Sequence, residues 1–220
     1  MDNNSAELEA KINIIEVCKQ LHQKNMLAAG DGNVSVKISD DEIIITPTGK
    51  AKAYIAPNDF AKVKLDGTIV YGNPSSELAM HLKIYRSCEQ AKAVVHAHPT
   101  HTIAWSLARP FDIELPCEVL PEVLLSLGRV PIIPYARPSS DELAHALDQH
   151  LQFNKVFILQ RHGALSWGES LDEGYFGIER IEHSCQILYL AYQMGQPIQL
   201  DKSEIGALKD MRRSIGLKTL

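Results

Sequence analysis

Residues 91–102 read AKAVVHAHPTHT. Ala93, Val94 and Val95 are small or β-branched and favour a strand. Pro99 cannot donate to a ladder and should end it. His96 and His98 stand two apart on that strand, so both imidazoles should leave the same face. Two imidazoles where a strand runs out are half of a metal site. A single histidine is more often a surface or hydrogen-bonded core residue, so the other half must come from elsewhere in the chain.

Upstream, Leu8, Ile12, Ile15, Cys18 and Leu21 recur at helical spacing and predict an amphipathic helix over about residues 5–27. Gly30-Asp31-Gly32 stops it. Val34, Val36 and Ile38 alternate with polar residues as a half-buried strand, and Asp40-Asp41 turns the chain into Ile43-Ile44-Ile45. Thr46-Pro47-Thr48-Gly49 reads as a loop. Asp66-Gly67, set between Val63-Lys64-Leu65 and Thr68 to Tyr71, suits a hairpin turn. Ser75 or Ser76 can cap a helix reaching about Cys88.

Downstream of the histidine strand, a short helix is expected from Pro99 towards Leu107, then proline-rich loops over residues 108–138. Ser139-Ser140-Asp141-Glu142 opens a helix expected to reach about Leu151. Val156 to Leu159 and Ala164 to Trp167 read as strands around the turn Arg161-His162-Gly163. A long helix from Leu171 to Met194 should bury Tyr175, Ile178, Ile181, Cys185 and Leu188. The expected organisation is one α/β domain over residues 1–220, with a largely antiparallel sheet and a mobile tail from about residue 196.

The totals exclude several classes of function. At 220 residues the chain can bury one full core, and 45% hydrophobic with 22% charged residues is ordinary globular composition. A net charge of −5 offers no basic surface to nucleic acid or an anionic membrane. No apolar run approaches the ~20 residues of a spanning helix, and the polar, acidic start MDNNSAELEAK is not a signal peptide. Cys18, Cys88, Cys117 and Cys185 are far apart and form no CxxC. That suits buried thiols in a reducing cytoplasm.

Three neutral imidazoles with an open position make a standard catalytic zinc site. His162 is the best third ligand, because it lies at a strand-to-strand turn where Gly163 would let the backbone bend. His101 follows Pro99 on an expected helix and is a weaker candidate. Glu77 follows Ser75-Ser76 at a helix N-terminus, where it could simply belong to a cap. The same terminus could hold a phosphate. The turns at Gly30-Asp31-Gly32-Asn33 and Thr46-Pro47-Thr48-Gly49 could add backbone N–H groups.

Gly32-Asn33-Val34-Ser35, Thr46-Pro47-Thr48-Gly49, Ser75-Ser76-Glu77, His96-Ala97-His98-Pro99 and Arg161-His162-Gly163 occur in that order. In this the chain resembles the class II aldolase/adducin family over roughly residues 5–195, and most of all its fuculose-phosphate aldolase branch. The resemblance implies a three-layer α/β fold, with a mainly antiparallel central sheet flanked by helices. It implies a divalent metal on His96, His98 and His162, most often zinc, with manganese or cobalt as alternatives. It implies Glu77 as the catalytic acid/base and Asn33, Thr48, Gly49, Ser75 and Ser76 around a substrate phosphate. The implied reaction is retro-aldol cleavage of a ketose 1-phosphate to dihydroxyacetone phosphate and a small aldehyde, in a homotetramer with sites at subunit interfaces.

Related branches are 4-epimerases, decarboxylases and dehydratases of sugar phosphates, and adducin shares the fold without catalysis. The epimerase branch has an aspartate where this chain has Glu77. Aldolases of the resembled branch use a partner-subunit tyrosine after the His-x-His strand and another near the C-terminus. This chain has no tyrosine between Tyr85 and Tyr135 and none after Tyr192. Glu118 and Glu122 are the candidate substitutes.

Overall fold

The computed structural model describes residues 3–216; the limits expected at residues 1 and 220 lie outside them. Helix α1 (Asn3–Gln23) leads into strands β1 (Asn33–Lys37) and β2 (Glu42–Ile45), then the hairpin β3 (Ala61–Lys64) and β4 (Ile69–Tyr71). Helix α2 (Leu78–Ser87), strand β5 (Ala93–Ala97), and helices α3 (Thr100–Ala108) and α4 (Pro121–Ser126) follow. Strand β6 (Ile132–Ile133), helix α5 (Asp141–Ala146), strands β7 (Val156–Leu159) and β8 (Gly163–Gly168), and helices α6 (Leu171–Met194) and α7 (Lys202–Ile215) complete the order.

The eight strands form one sheet in the order β4-β3-β2-β1-β5-β8-β7-β6. Every pairing is antiparallel except β6 with β7, which is parallel because α5 carries the crossover between them. Strand alternation sends side chains to two cores. On one face Val34, Ile44 and Val95 pack with Leu21 of α1, Trp105 of α3 and Ile178 of α6. On the other Ile43, Val94 and Phe157 pack with Ile84 of α2 and Leu143 of α5. The result is the three-layer, mainly antiparallel architecture. Fully buried side chains of this kind each contribute about 1.5–3 kcal/mol relative to exposure.

The α6 stripe is buried as the periodicity predicts. That of α1 is rotated: Ala10, Ile14, Val17, Cys18 and Leu21 are buried, whereas Leu8 and Ile12 are about half exposed. Helix α5 stops at Ala146, and residues 147–153 continue as tight turns that still bury Leu147 and Leu151. A mobile tail is expected after residue 196, and within that stretch α7 packs on α4 through Ile205, Leu208 and Leu124. No helix among the described residues is long and apolar enough to cross a membrane.

Candidate active site

His96 is the penultimate residue of β5, and His98 follows the strand end. β8 is the antiparallel neighbour of β5, pairing Ala97 with Ala164, so the β7–β8 turn brings His162 beside them. The ring centroids of the three histidines are 4.8–5.1 Å apart. One potential ligand atom from each lies within 4.8 Å of the others. His101 is elsewhere, bonded through Nδ1 to Glu182 Oε1 at 2.8 Å.

Gly163 fits this turn for a different reason from the expected one. The left-handed residue is Arg161, with φ 61°. A Cβ on Gly163 would stand 2.4 Å from the carbonyl oxygen of Ala97 and 3.0 Å from both the His96 and His98 rings. The glycine leaves room for β5 and its two imidazoles. Gly32, with φ 69°, combines both demands, since its Cβ would also meet the His96 carbonyl at 2.8 Å.

Glu77 occupies the N-cap position of α2, yet its side chain makes no cap hydrogen bond. It turns towards the histidines. Oε2 is 3.1 Å from His96 Nε2 and accepts from Asn33 Nδ2 at 2.8 Å, and Oε1 is 3.4 Å from His162 Nε2. Burial alone would raise the Glu77 pKa. The His96 charge and hydrogen bond, the Asn33 bond and the His162 charge outweigh it and hold the carboxyl well below the usual carboxylate range. Burial opposes a charge on His96, but Glu77 and the Ala164 carbonyl raise its pKa. Burial and the neighbouring His96 charge push His162 down to about 4, which leaves it neutral, the form in which imidazole binds metal.

These residues fit a divalent cation. His96 Nδ1 is held by Ala164 O at 2.8 Å and His98 Nδ1 by Asp31 Oδ2 at 3.3 Å, the outer contacts that aim the opposite nitrogens inward. The two Nε2 atoms so aimed are only 3.1 Å apart. Glu77 Oε1 and His162 Nδ1 are buried without a hydrogen-bond partner. Converging lone pairs and a carboxylate favour positive charge at this point.

Thr48, Gly49, Ser75 and Ser76 line the same cleft, a cavity of about 180 Å³ shared with Glu77 and His98. Asn33 lines it too, but its amide is already bonded to Glu77 and, through Oδ1, to His81 Nε2 at 2.6 Å. Sequence reasoning missed Ser139, whose hydroxyl bonds Ser76 at 3.0 Å, and Lys52, a buried ammonium donating to the carbonyls of Gly30 and Lys50. Neither carries a sequence signal beyond its own residue type. Within one chain Glu118 and Glu122 do not line the cleft, as expected of residues offered to a neighbouring copy, and Glu118 pairs with Lys209 at 2.7 Å. A larger cavity of about 1010 Å³ lies between the end of α1, α3 and α6, lined by Met26, His101 and Glu182 but by none of the three clustered histidines.

The chain is similar to the 3-oxo-tetronate 4-phosphate decarboxylase of Escherichia coli, at 30% identity over 86% of this chain and 90% of that protein. It is equally similar to an L-fuculose phosphate aldolase of Methanococcus maripaludis, at 32% identity over 84% of this chain and 98% of that protein. Among solved structures, YgbL from Escherichia coli, an aldolase/epimerase/decarboxylase candidate, superposes with a TM-score of 0.85 at 29% identity, covering 92% of this chain and 99% of YgbL. An L-fuculose 1-phosphate aldolase gives 0.83 at 25% identity, covering 93% and 96%. The family model described as "Class II Aldolase and Adducin N-terminal domain" matches residues 12–189. With the order of its motifs, its sheet and its histidine cluster all in agreement, the chain belongs to the class II aldolase and adducin family.

Proposed function

We propose that this protein is a metal-dependent lyase, which breaks the bond between the α and β carbons of a phosphorylated ketone and releases dihydroxyacetone phosphate. The observation that carries this is the convergence of three imidazoles and the Glu77 carboxylate at one end of the sheet, next to the Thr48-Gly49 and Ser75-Ser76 turns. His96, His98 and His162 would hold the divalent ion, zinc by the character of the donor set. When bound, such an ion supplies Lewis-acid stabilisation of the charge that develops on the carbonyl oxygen.

The chain's own residues do the rest. The hydroxyls of Thr48, Ser75 and Ser76, the Gly49 backbone and the one amide N–H left on Asn33 hold the phosphate and fix the reacting end. As the bond breaks, its electron pair stays on the carbon next to the carbonyl, giving the enediolate form of dihydroxyacetone phosphate. Glu77 moves the proton that this carbon takes up. The sites lie at subunit interfaces of a homotetramer, in a reducing cytoplasm that keeps the four buried cysteines free.

With a ketose 1-phosphate, the departing fragment is a small aldehyde. A second form of the same cleavage, loss of carbon dioxide from a phosphorylated 3-oxo acid, is favoured by a specific observation. The aldehyde route needs a base for the hydroxyl proton of the departing carbon; a carboxylate leaves without one. The chain has no tyrosine between Tyr85 and Tyr135 and none after Tyr192, so neither of those segments, from this copy or a neighbour, supplies a phenol. Of the cleft's carboxylates Asp31 is engaged with His98, and Glu77 serves the carbon proton. The test is to incubate the zinc-loaded protein with fuculose 1-phosphate or 3-oxo-tetronate 4-phosphate and assay dihydroxyacetone phosphate, trapped aldehyde and carbon dioxide. Chelator should abolish turnover, and no dihydroxyacetone phosphate from either compound would sink the proposal.

A further inference from the structure

Beneath Glu77 a chain of buried polar groups runs away from the cleft between β1 and α2. Asn33 Nδ2 bonds Glu77 Oε2 at 2.8 Å, and Asn33 Oδ1 meets His81 Nε2 at 2.6 Å. His81 Nδ1 meets Ser35 Oγ at 2.7 Å. Tyr85 Oη lies 2.8 Å from Ser35 Oγ and 3.0 Å from the Ser35 carbonyl. Ser35 and His81 are wholly buried, and the other members nearly so.

Two periodicities make this possible. Asn33 and Ser35 are two apart on a strand, a rise of about 6.7 Å, while Glu77, His81 and Tyr85 are spaced by four along the start of a helix, about 6 Å each. The strand pair therefore interleaves with the helix trio.

The donors can be assigned in order. A carboxylate only accepts, so Asn33 must turn its amide nitrogen to Glu77 and its oxygen to His81. His81 Nε2 must then carry a proton. Burial, with the neighbouring His96 charge, pushes the His81 pKa down to about 3, so at neutral pH the ring holds one proton and Nδ1 is bare. Ser35 must donate to Nδ1, which leaves the one Tyr85 proton for the Ser35 Oγ or carbonyl oxygen. From Ser35 onward every donor points towards Glu77.

We infer that His81 is a positioning residue for Glu77: fixed by Ser35 as the Nε2–H tautomer, it locks the Asn33 amide so that Glu77 Oε2 always meets a donor. Oε2 is thereby anchored, and Oε1, which has no hydrogen-bond partner, is the oxygen left to exchange a proton. The inference rests on the proposed role of Glu77 in moving the substrate proton.

The test has two arms. In zinc-loaded, full-length protein labelled with 15N-histidine, long-range proton–nitrogen correlation should show His81 as a single Nε2–H tautomer, with the Nδ1–H form appearing in Ser35→Ala. In kinetics, His81→Leu should lower kcat about 10–100-fold, the range for loss of an outer partner, because Glu77 Oε2 loses its fixed donor. His81→Gln, which can keep an amide donor near Nε2, should restore most of it. An Nδ1–H or mixed tautomer in the unsubstituted protein overturns the inference. So does equal kcat loss in the Leu and Gln variants, or loss of stability without loss of kcat. The tautomer is read without substrate, so it decides the matter even if neither phosphorylated ketone is turned over, an outcome that sinks the proposed function instead.

Discussion

Glu77 and Gly163 mark the two demands on single residues at this site, chemistry and space. If Glu77 moves a proton, Glu77→Gln keeps the shape and the Asn33 contact but removes the base. It should fold and bind zinc normally while kcat falls about 100- to 10,000-fold, the usual contribution of a general acid–base group. Steady-state release of dihydroxyacetone phosphate measures it, and an unchanged kcat would refute the role. Gly163→Ala tests space instead. Its new Cβ would press on the Ala97 carbonyl and both strand imidazoles, so urea unfolding should show a loss of about 1–3 kcal/mol. Competitive metal titration should also show weaker zinc binding. The ligand types were legible in the sequence, because His-x-His on a strand shares a face whatever surrounds it. The reason for Gly163 was not legible: it depends on how closely β5 and β8 approach, which no local pattern encodes.

The elements show the same division. Alternation in β1, the small and β-branched run of β5 and the 3.6-residue stripe of α6 follow from the chain alone, and the structure has them within a few residues. The rotated stripe of α1 does not, since Leu8 and Ile12 are as apolar as the residues that the core selects. Residues 202–215 read as charged, yet Ile205 and Leu208, three apart, give α7 a narrow apolar edge that fits α4. Leu208→Ala should remove that hold, so that amides of α7 exchange faster while those of β5 and β8 keep their protection, as hydrogen-exchange mass spectrometry would show. The β1–α2 pairing carries a pH signature. A histidine whose folded pKa is depressed binds fewer protons folded than unfolded, so stability falls as pH drops from about 6.5 towards the folded value. His81, at about 3, contributes with this sign, as does His162 at about 4, while the raised pKa of His96 adds a stability that is constant below about 6.5 and is lost only as pH rises above it. In metal-free protein, His81→Gln should therefore lose less stability than the unsubstituted chain between about pH 6.5 and 4. Parallel urea midpoints across that window would contradict the assignment.

At the scale of the whole molecule, the site depends on strand order. His96 and His162 are 66 positions apart in the chain but meet because β8 inserts between β5 and β7. Spacing in sequence cannot express that; only the ordered motifs of a known family carried it. The same scale bears on assembly. The cleft's volume of about 180 Å³ is below the ~300–1,000 Å³ of ordinary small-molecule sites. Meanwhile Phe111, Ile113 and Met194 are largely exposed, and Leu8 and Ile12 half so, more large apolar surface than a monomer gains by showing. Both features are accounted for if neighbouring copies cover the apolar residues and close the cleft. Light scattering on the eluting protein should then give four times the 24.5 kDa chain mass. Replacing Phe111 and Ile113 by Ser should leave the histidine cluster able to bind zinc while reducing the mass and, with it, kcat/KM, because the β5–β8 scaffold is intact but the wall supplied by the neighbour is gone. A monomer of full activity would instead place the whole of substrate recognition within the single chain.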